Sequence, residues 1–162
     1  MTHQVTVFFA YGCASWGMIA KSWRRPGVAW RAFLSRMAKV ITRSKYSHVS
    51  VCVGLDVLDK QMSGAKIWPL STYLRKYPTL SHAYIVRTPL PASLQHIHNL
   101  GPIKPLHSIH KWLTNGRRQT DDCVCITRRV LRDAGVDVPQ WACHPGKLDK
   151  WLSEQNLKRV DL

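Results

Sequence analysis

Residues 48–54, HVSVCVG, alternate strictly, with Val49, Val51 and Val53 on one side and His48, Ser50 and Cys52 on the other. A period of two over this length reads as a half-buried strand. A short Gly-Leu-Asp turn follows, and Val57 to Gln61 reads as its antiparallel neighbour. An isolated hairpin is marginal in water, so the rest of the chain must widen the sheet and cover its apolar face. Val5 to Ala10 (VTVFFA) supplies a buried strand. Ala65 to Trp68 continues the sheet after Ser63-Gly64 and stops at Pro69. His82 to Arg87 (HAYIVR) adds another strand.

The cover comes from segments with helical spacing. Ala14 to Arg25 places Trp16, Ile19, Ala20 and Trp23 at that spacing, and Pro26-Gly27 breaks it. From Val28 to Arg43 the period resumes. Trp30, Phe33, Leu34, Met37, Val40 and Ile41 share a face, while Arg31, Arg36, Lys39 and Arg43 lie largely elsewhere. Ser71 to Tyr77 makes one or two helical turns. Ile109, Trp112 and Leu113 suggest a short helix before Asn115-Gly116. Asp122 to Ala134 is a helix that Asp121 or Asp122 can cap and Gly135 can stop. Pro145 to Asn156 is the last, with Leu148, Trp151 and Leu152 as its buried stripe.

This order predicts an α+β fold. It is read as one domain over 1–162: a basic helical segment at about 14–43, core strands at about 48–87 and a cysteine helix at about 122–134. A chain of 162 residues can bury enough surface to need neither disulfide nor metal for a core. No apolar run reaches the roughly 18 residues of a membrane-spanning helix. Met1 to Ala10 lack a basic stretch ahead of their apolar run, so no cleaved signal peptide is expected. The expected location is a cytoplasm, or a larger particle of which the chain is part.

Lys and Arg number 24 against 9 Asp and Glu, a formal charge of +15. Such a balance favours polyanions: an anionic cell-wall polymer, nucleic acid or an acidic membrane surface. Residues 1–55 carry Lys21, Arg24, Arg25, Arg31, Arg36, Lys39, Arg43 and Lys45 and no acid. Lys21 to Arg43 form the candidate polymer-binding surface; a solvated basic face is the plainer reading. Trp16, Trp23 and Trp30 among these charges could serve a membrane or nucleic-acid surface, or simply pack as core. No Gly-rich phosphate loop, zinc finger or RNA-recognition motif is present.

The five cysteines, Cys13, Cys52, Cys123, Cys125 and Cys143, do not form a disulfide framework by spacing. Cys123 opens the helix after Asp121-Asp122. A thiol there feels the positive end of the helix dipole, which favours the reactive thiolate. His48 opens a strand. If the two meet, they form a Cys–His nucleophile pair; otherwise Cys123 is a small buried hydrophobe. Cys125 is the alternative nucleophile. The helical wheel puts Cys123 with Ile126, Thr127, Val130 and Leu131, and Cys125 nearer Arg128, Arg129 and Arg132, the expected solvated side. A zinc site from His96, His98, His107, His110, Cys123, Cys125, Cys143 and His144 is a rival, but the spacings match no standard finger. No metal and no cofactor is expected.

The segments SKYSHVSVCVG, VLDKQMSGAKIWPL and DDCVCITRRVLRDAGVDVP resemble the circularly permuted branch of the NlpC/P60 papain-like superfamily. That branch includes YiiX-like, lecithin:retinol acyltransferase-like and many phage-encoded proteins. The resemblance covers about 40–70 and 118–152, with VTVFFAYG in the expected place. It implies an antiparallel sheet packed against the helix that carries the nucleophilic cysteine. His48 matches the family's base and Cys123 its nucleophile. Asp59 matches the position of the residue that orients the imidazole, with Gln61 the alternative. Asp122 stands where relatives commonly have an aromatic or Asn, and Cys125 where they often have Ser or Thr. The implied chemistry is acyl transfer at an amide, with peptidoglycan peptides as the leading substrate class and virion proteins among possible partners. A lipid or amine acceptor would make an acyltransferase or thioesterase instead. A degenerate site would leave a basic binding module.

Overall fold

The computed structural model describes residues 3–11, 33, 36–37, 39–61, 63–77, 79–94, 101, 103, 105–114, 116 and 121–162. Six strands form one sheet: β1 (His3–Ala10), β2 (His48–Val53), β3 (Asp56–Gln61), β4 (Gly64–Pro69), β5 (Leu80–Thr88) and β6 (Lys158–Asp161). Their spatial order is β4-β3-β2-β1-β5-β6, and each neighbouring pair is antiparallel. Four helices are bounded among the described residues: α1 (Leu70–Lys76), α2 (Pro105–Leu113), α3 (Cys123–Asp133) and α4 (Pro145–Ser153). The class is α+β, as the element order predicts.

The hairpin of 48–61 forms as the alternation requires. Gly54 takes a φ of 62° in its turn, a conformation glycine adopts without a Cβ clash. Val49, Val51 and Leu58 join Val5, Val7 and Phe9 under Val124, Ile126, Val130 and Leu131 of α3 and Leu148 and Leu152 of α4. Val130, Leu131, Leu148 and Leu152 are fully buried. Cutting one such leucine to Ala typically costs about 2–5 kcal/mol.

The expectation of a half-buried β2 needs correction. Ser50 and Cys52, on the face expected to be wetter, are 1% and 3% exposed. Helix α1 covers that face, where Tyr73 packs with Phe8, Cys52, Val57 and Ala83. Burial pushes the Cys52 thiol up to about 11, with Asp56 adding to it. The sheet is therefore a middle layer, with α1 on one side and α3 and α4 on the other.

The second correction concerns the amphipathic segment at 28–43. Residues 39–42 are helical, and the turn closes at Arg43, whose φ is 49°. Val40 is 63% exposed and Phe33 39%, while Met37 and Ile41 of the same stripe are half-buried. The Ala14–Arg25 helix and the Trp16, Trp23, Trp30 series lie outside the described residues.

Strand β6 had no sequence-based expectation. Its residues Lys-Arg-Val-Asp are mostly exposed and carry no apolar alternation. It pairs His82 with Asp161 and Ile85 with Lys158 at the sheet edge. Charged side chains suit an edge strand, because they discourage pairing with another chain. Among the described residues, no helix is long and apolar enough to cross a membrane.

Candidate active site

Strands β2 and β3 stop pairing before they end. Their ladder runs from Val53↔Asp56 to Val51↔Leu58 and no further. Beyond it, His48 to Ser50 pair only with β1, and Asp59 to Gln61 only with β4. Side chains bridge the open end. His48 Nε2 lies 2.6 Å from Asp59 Oδ1. A carboxylate can only accept, so Nε2 carries the proton and donates it.

Asp59 is completely buried. Its other oxygen accepts from Tyr77 OH and Gln61 Nε2, and Gln61 also donates to the Tyr77 hydroxyl. Burial alone would raise the carboxyl's pKa. The His48 hydrogen bond and charge, with Tyr77 and Gln61, outweigh it and hold the group below its usual range. A buried carboxylate held by three donors is a fixed anchor for the imidazole. The alternative of an exposed strand-end carboxylate is thereby overturned. Gln61 does sit on the same strand face, but it supports Asp59 and does not take its place.

Cys123 is the first residue of α3 and is 8% exposed. Its thiol lies close enough to His48 to help raise the imidazole's pKa. Burial pulls the His48 pKa down. Hydrogen bonds and charge from Asp59 and Cys123 outweigh burial and push it up to about 10. The ring, 20% exposed, is therefore an imidazolium at neutral pH.

Local sequence explains why α3 starts at Cys123. Asp122 is its N-cap, with an extended backbone, and its Oδ1 accepts from Cys125 N at 2.9 Å. Ile126 N goes to the Asp122 carbonyl at 3.1 Å. The N–H groups of Cys123 and Val124 remain as the ones that the first turn leaves without an intrahelical acceptor. They point toward any group bound at the sulfur end of the helix. At the other end Gly135, at a φ of 83°, closes the helix with Val136 N on Leu131 O.

The carboxylate beside Cys123 is paired with a buried cation. Asp122 Oδ2 is ion-paired with Lys111 Nζ of α2, and both residues are buried. Burial would lower the Lys111 pKa, but Asp122, with Cys125 and Cys123, outweighs burial and raises it. Asp121 lies in reach of Arg129 at 3.5 Å, in a half-exposed pair.

Cys125, the alternative nucleophile, faces elsewhere. It lines a cavity with Arg128, Arg129 and Arg132 that neither Cys123 nor His48 lines. Its sulfur accepts from Lys111 Nζ at 3.5 Å. The wheel argument for Cys123 holds, with one correction: Arg128 is 8% exposed and not solvated. Its Nη2 instead donates to the Val138 carbonyl at 3.3 Å, which draws the side chain inward.

Of the candidate polymer-binding cations, Lys21, Arg24, Arg25 and Arg31 lie outside the described residues. Arg36 and Lys39 are half-buried and Arg43 is exposed. Among the described residues, no group of three or more His, Cys, Asp or Glu could hold a metal ion. His107 and His110 are exposed, while His144 is buried and caps α4 by accepting from Lys147 N. His96 and His98 lie outside the described residues.

Two supporting residues escaped the sequence reading. Tyr77 holds Asp59, and Tyr73, one turn earlier, accepts from Ser50 Oγ at 2.7 Å. Their spacing of four residues on a short helix was the available signal. Lys111 gave none, since a lone lysine does not announce a buried partner 11 residues away. No protein-family model matches the chain, and no curated protein matches it.

Proposed function

We propose that this chain is a cysteine hydrolase of the permuted NlpC/P60 type, acting on an amide bond, with peptidoglycan peptides as the leading substrate class. The observation that carries the reading is one imidazole held between a buried carboxylate and a helix-start thiol. Cys123 attacks the carbonyl carbon as thiolate. Helix-start N–H groups of Cys123 and Val124 receive the oxyanion. His48 protonates the leaving amine, which departs and leaves a thioester. His48 then takes a proton from water, whose oxygen attacks the thioester, releasing the carboxylic acid and restoring the Cys123 thiolate beside the His48 imidazolium. Asp59 keeps the ring oriented and the imidazolium stabilised throughout. The order of elements, with the base on a strand before the nucleophile's helix, agrees with the permuted arrangement that the sequence resembles. The peptidoglycan assignment rests on that resemblance and on the +15 charge, which suits an anionic polymer.

The test is iodoacetamide labelling at about pH 6, well under the ordinary thiol range, with each cysteine mapped by mass spectrometry. Selective labelling of Cys123, lost in His48→Ala, is expected. Release of products from cell-wall peptides, abolished in Cys123→Ala, completes it. Equal, slow labelling of Cys123 and Cys125 in the wild type would sink the reading. Labelling without peptide cleavage, but with acyl transfer from lipid esters, would move the same centre to the acyltransferase class.

A further inference from the structure

The far flank of α3 holds a second, unrelated feature. A cavity of about 590 Å³ is lined by Lys111, Cys125, Arg128, Arg129 and Arg132, with Asp121, Asp137 and the 138–140 segment completing the wall. Its size falls in the range of small-molecule sites. Cys125, Arg128, Arg129 and Arg132 are spaced i, i+3, i+4 and i+7 and form one stripe of the helix. The opposite stripe carries Cys123 and the core residues.

The charges in this cavity do not balance. Lys111 is matched by Asp122, and Arg129 by Asp121. That leaves Arg128 and Arg132, against the exposed Asp137, and no ion pair joins any of the three among the described residues. Arg128 is the telling member. It is only 8% exposed, and its Nε has no hydrogen-bond partner among the described residues. Among the described residues its acceptor is the Val138 carbonyl, a neutral group. Burying a guanidinium without a counter-charge is costly, and an anion of fitting shape relieves that cost.

We propose that this cavity is a binding site for a small phosphate-bearing ligand, with Arg128 and Arg132 as the phosphate contacts and Asp137 as acceptor for a ligand hydroxyl. Phosphate monoesters carry close to two negative charges near neutral pH, which matches two arginines that no carboxylate neutralises. Guanidinium groups donate to phosphate oxygens in pairs. The half-buried Cys125 sits in the same wall and provides a built-in reporter. The site shares no residue with the His48–Asp59–Cys123 centre, so it stands or falls independently of the hydrolase reading.

The experiment is alkylation of the full chain by neutral iodoacetamide at about pH 8, near the ordinary thiol range, with Cys123 and Cys125 followed separately. Inorganic phosphate and glycerol 3-phosphate are titrated at constant ionic strength against chloride. The expected result is a saturable slowing of Cys125 labelling, roughly 5-fold or more at saturation, with Cys123 unchanged. Glycerol 3-phosphate should saturate at lower concentration than inorganic phosphate, since Asp137 can accept from its hydroxyls. Arg132→Gln, at an exposed position that does not threaten folding, should raise the half-saturating concentration about 10-fold, the equivalent of one charge-assisted hydrogen bond. Slowing that chloride reproduces, that never saturates, or that Arg132→Gln leaves intact would overturn the proposal.

Discussion

His48 and Asp59 are joined across the point where their strands have ceased to pair. Nε2 and Oδ1 are 2.6 Å apart, three residues past the last rung on one strand and one past it on the other. The imidazole orientation is therefore set by a side-chain bond and not by the backbone ladder. Asp59→Asn removes the charge and keeps the shape. Activity of the Cys123 centre should fall roughly 10²- to 10⁴-fold, the usual range for a misoriented acid–base group. Labelling of Cys123 at about pH 6 should fall in parallel. A variant within twofold of wild type in both assays would show that Asp59 does not position the base.

The same bond makes stability depend on pH in a stated direction. His48 has its folded pKa pushed up to about 10 from an unfolded value near 6.5. The folded state thus binds more protons than the unfolded state between these values. Its stabilising contribution is complete below about pH 6.5 and drains away as pH rises toward the folded value. Urea midpoints measured from about pH 6 to 9 should decline in the wild type and decline less steeply in His48→Gln. Identical slopes for the two proteins would mean that His48 is not held as an imidazolium.

Asp122 links the helix cap, a buried ammonium and the nucleophile's position. Truncation to Ala removes the cap on Cys125 N and strands the Lys111 charge in the interior. Breaking a buried pair in this way costs about 3–5 kcal/mol. The paired replacement Lys111→Met with Asp122→Asn keeps a capping side chain and leaves no isolated charge. It should recover most of that loss, because such pairs are often near neutral against a matched uncharged pair. Denaturant unfolding of the three proteins decides it: a double variant as unstable as Asp122→Ala would mean that the pair is not the cause.

What could be read from the sequence follows from the range of the interactions involved. The 48–61 hairpin, α3 with its Asp122 cap and Gly135 stop, and α4 all announce themselves through neighbours within a turn or a strand. Cys123 and His48 were reachable because their elements were, and Asp59 came only from the resemblance to a known family. Strand β6 was not, because an edge strand is held by backbone pairing to β5 and needs no apolar alternation. The buried positions of Ser50, Cys52 and Arg128 depend on α1 or on the Val138 carbonyl, which lie at least ten residues away along the chain.

His144 is the last group whose titration has a structural consequence. It is 7% exposed and caps α4, its Nδ1 accepting from Lys147 N. Only a ring unprotonated at Nδ1 can accept. Burial, then the nearby Lys147 and Lys111 charges, lower its pKa to about 4, against about 6.5 when unfolded. Between these values the unfolded state binds the extra proton, so native stability falls as pH drops from about 6.5 to about 4. The difference of about 2.5 pKa units bounds the effect at about 3 kcal/mol. His144→Asn retains a capping oxygen and removes the titration. Its unfolding free energy should change less across that interval than the wild type's. A wild type and variant that lose stability in step between about pH 6.5 and 4 would assign the acid sensitivity to other groups, and the cap would then not depend on a neutral His144.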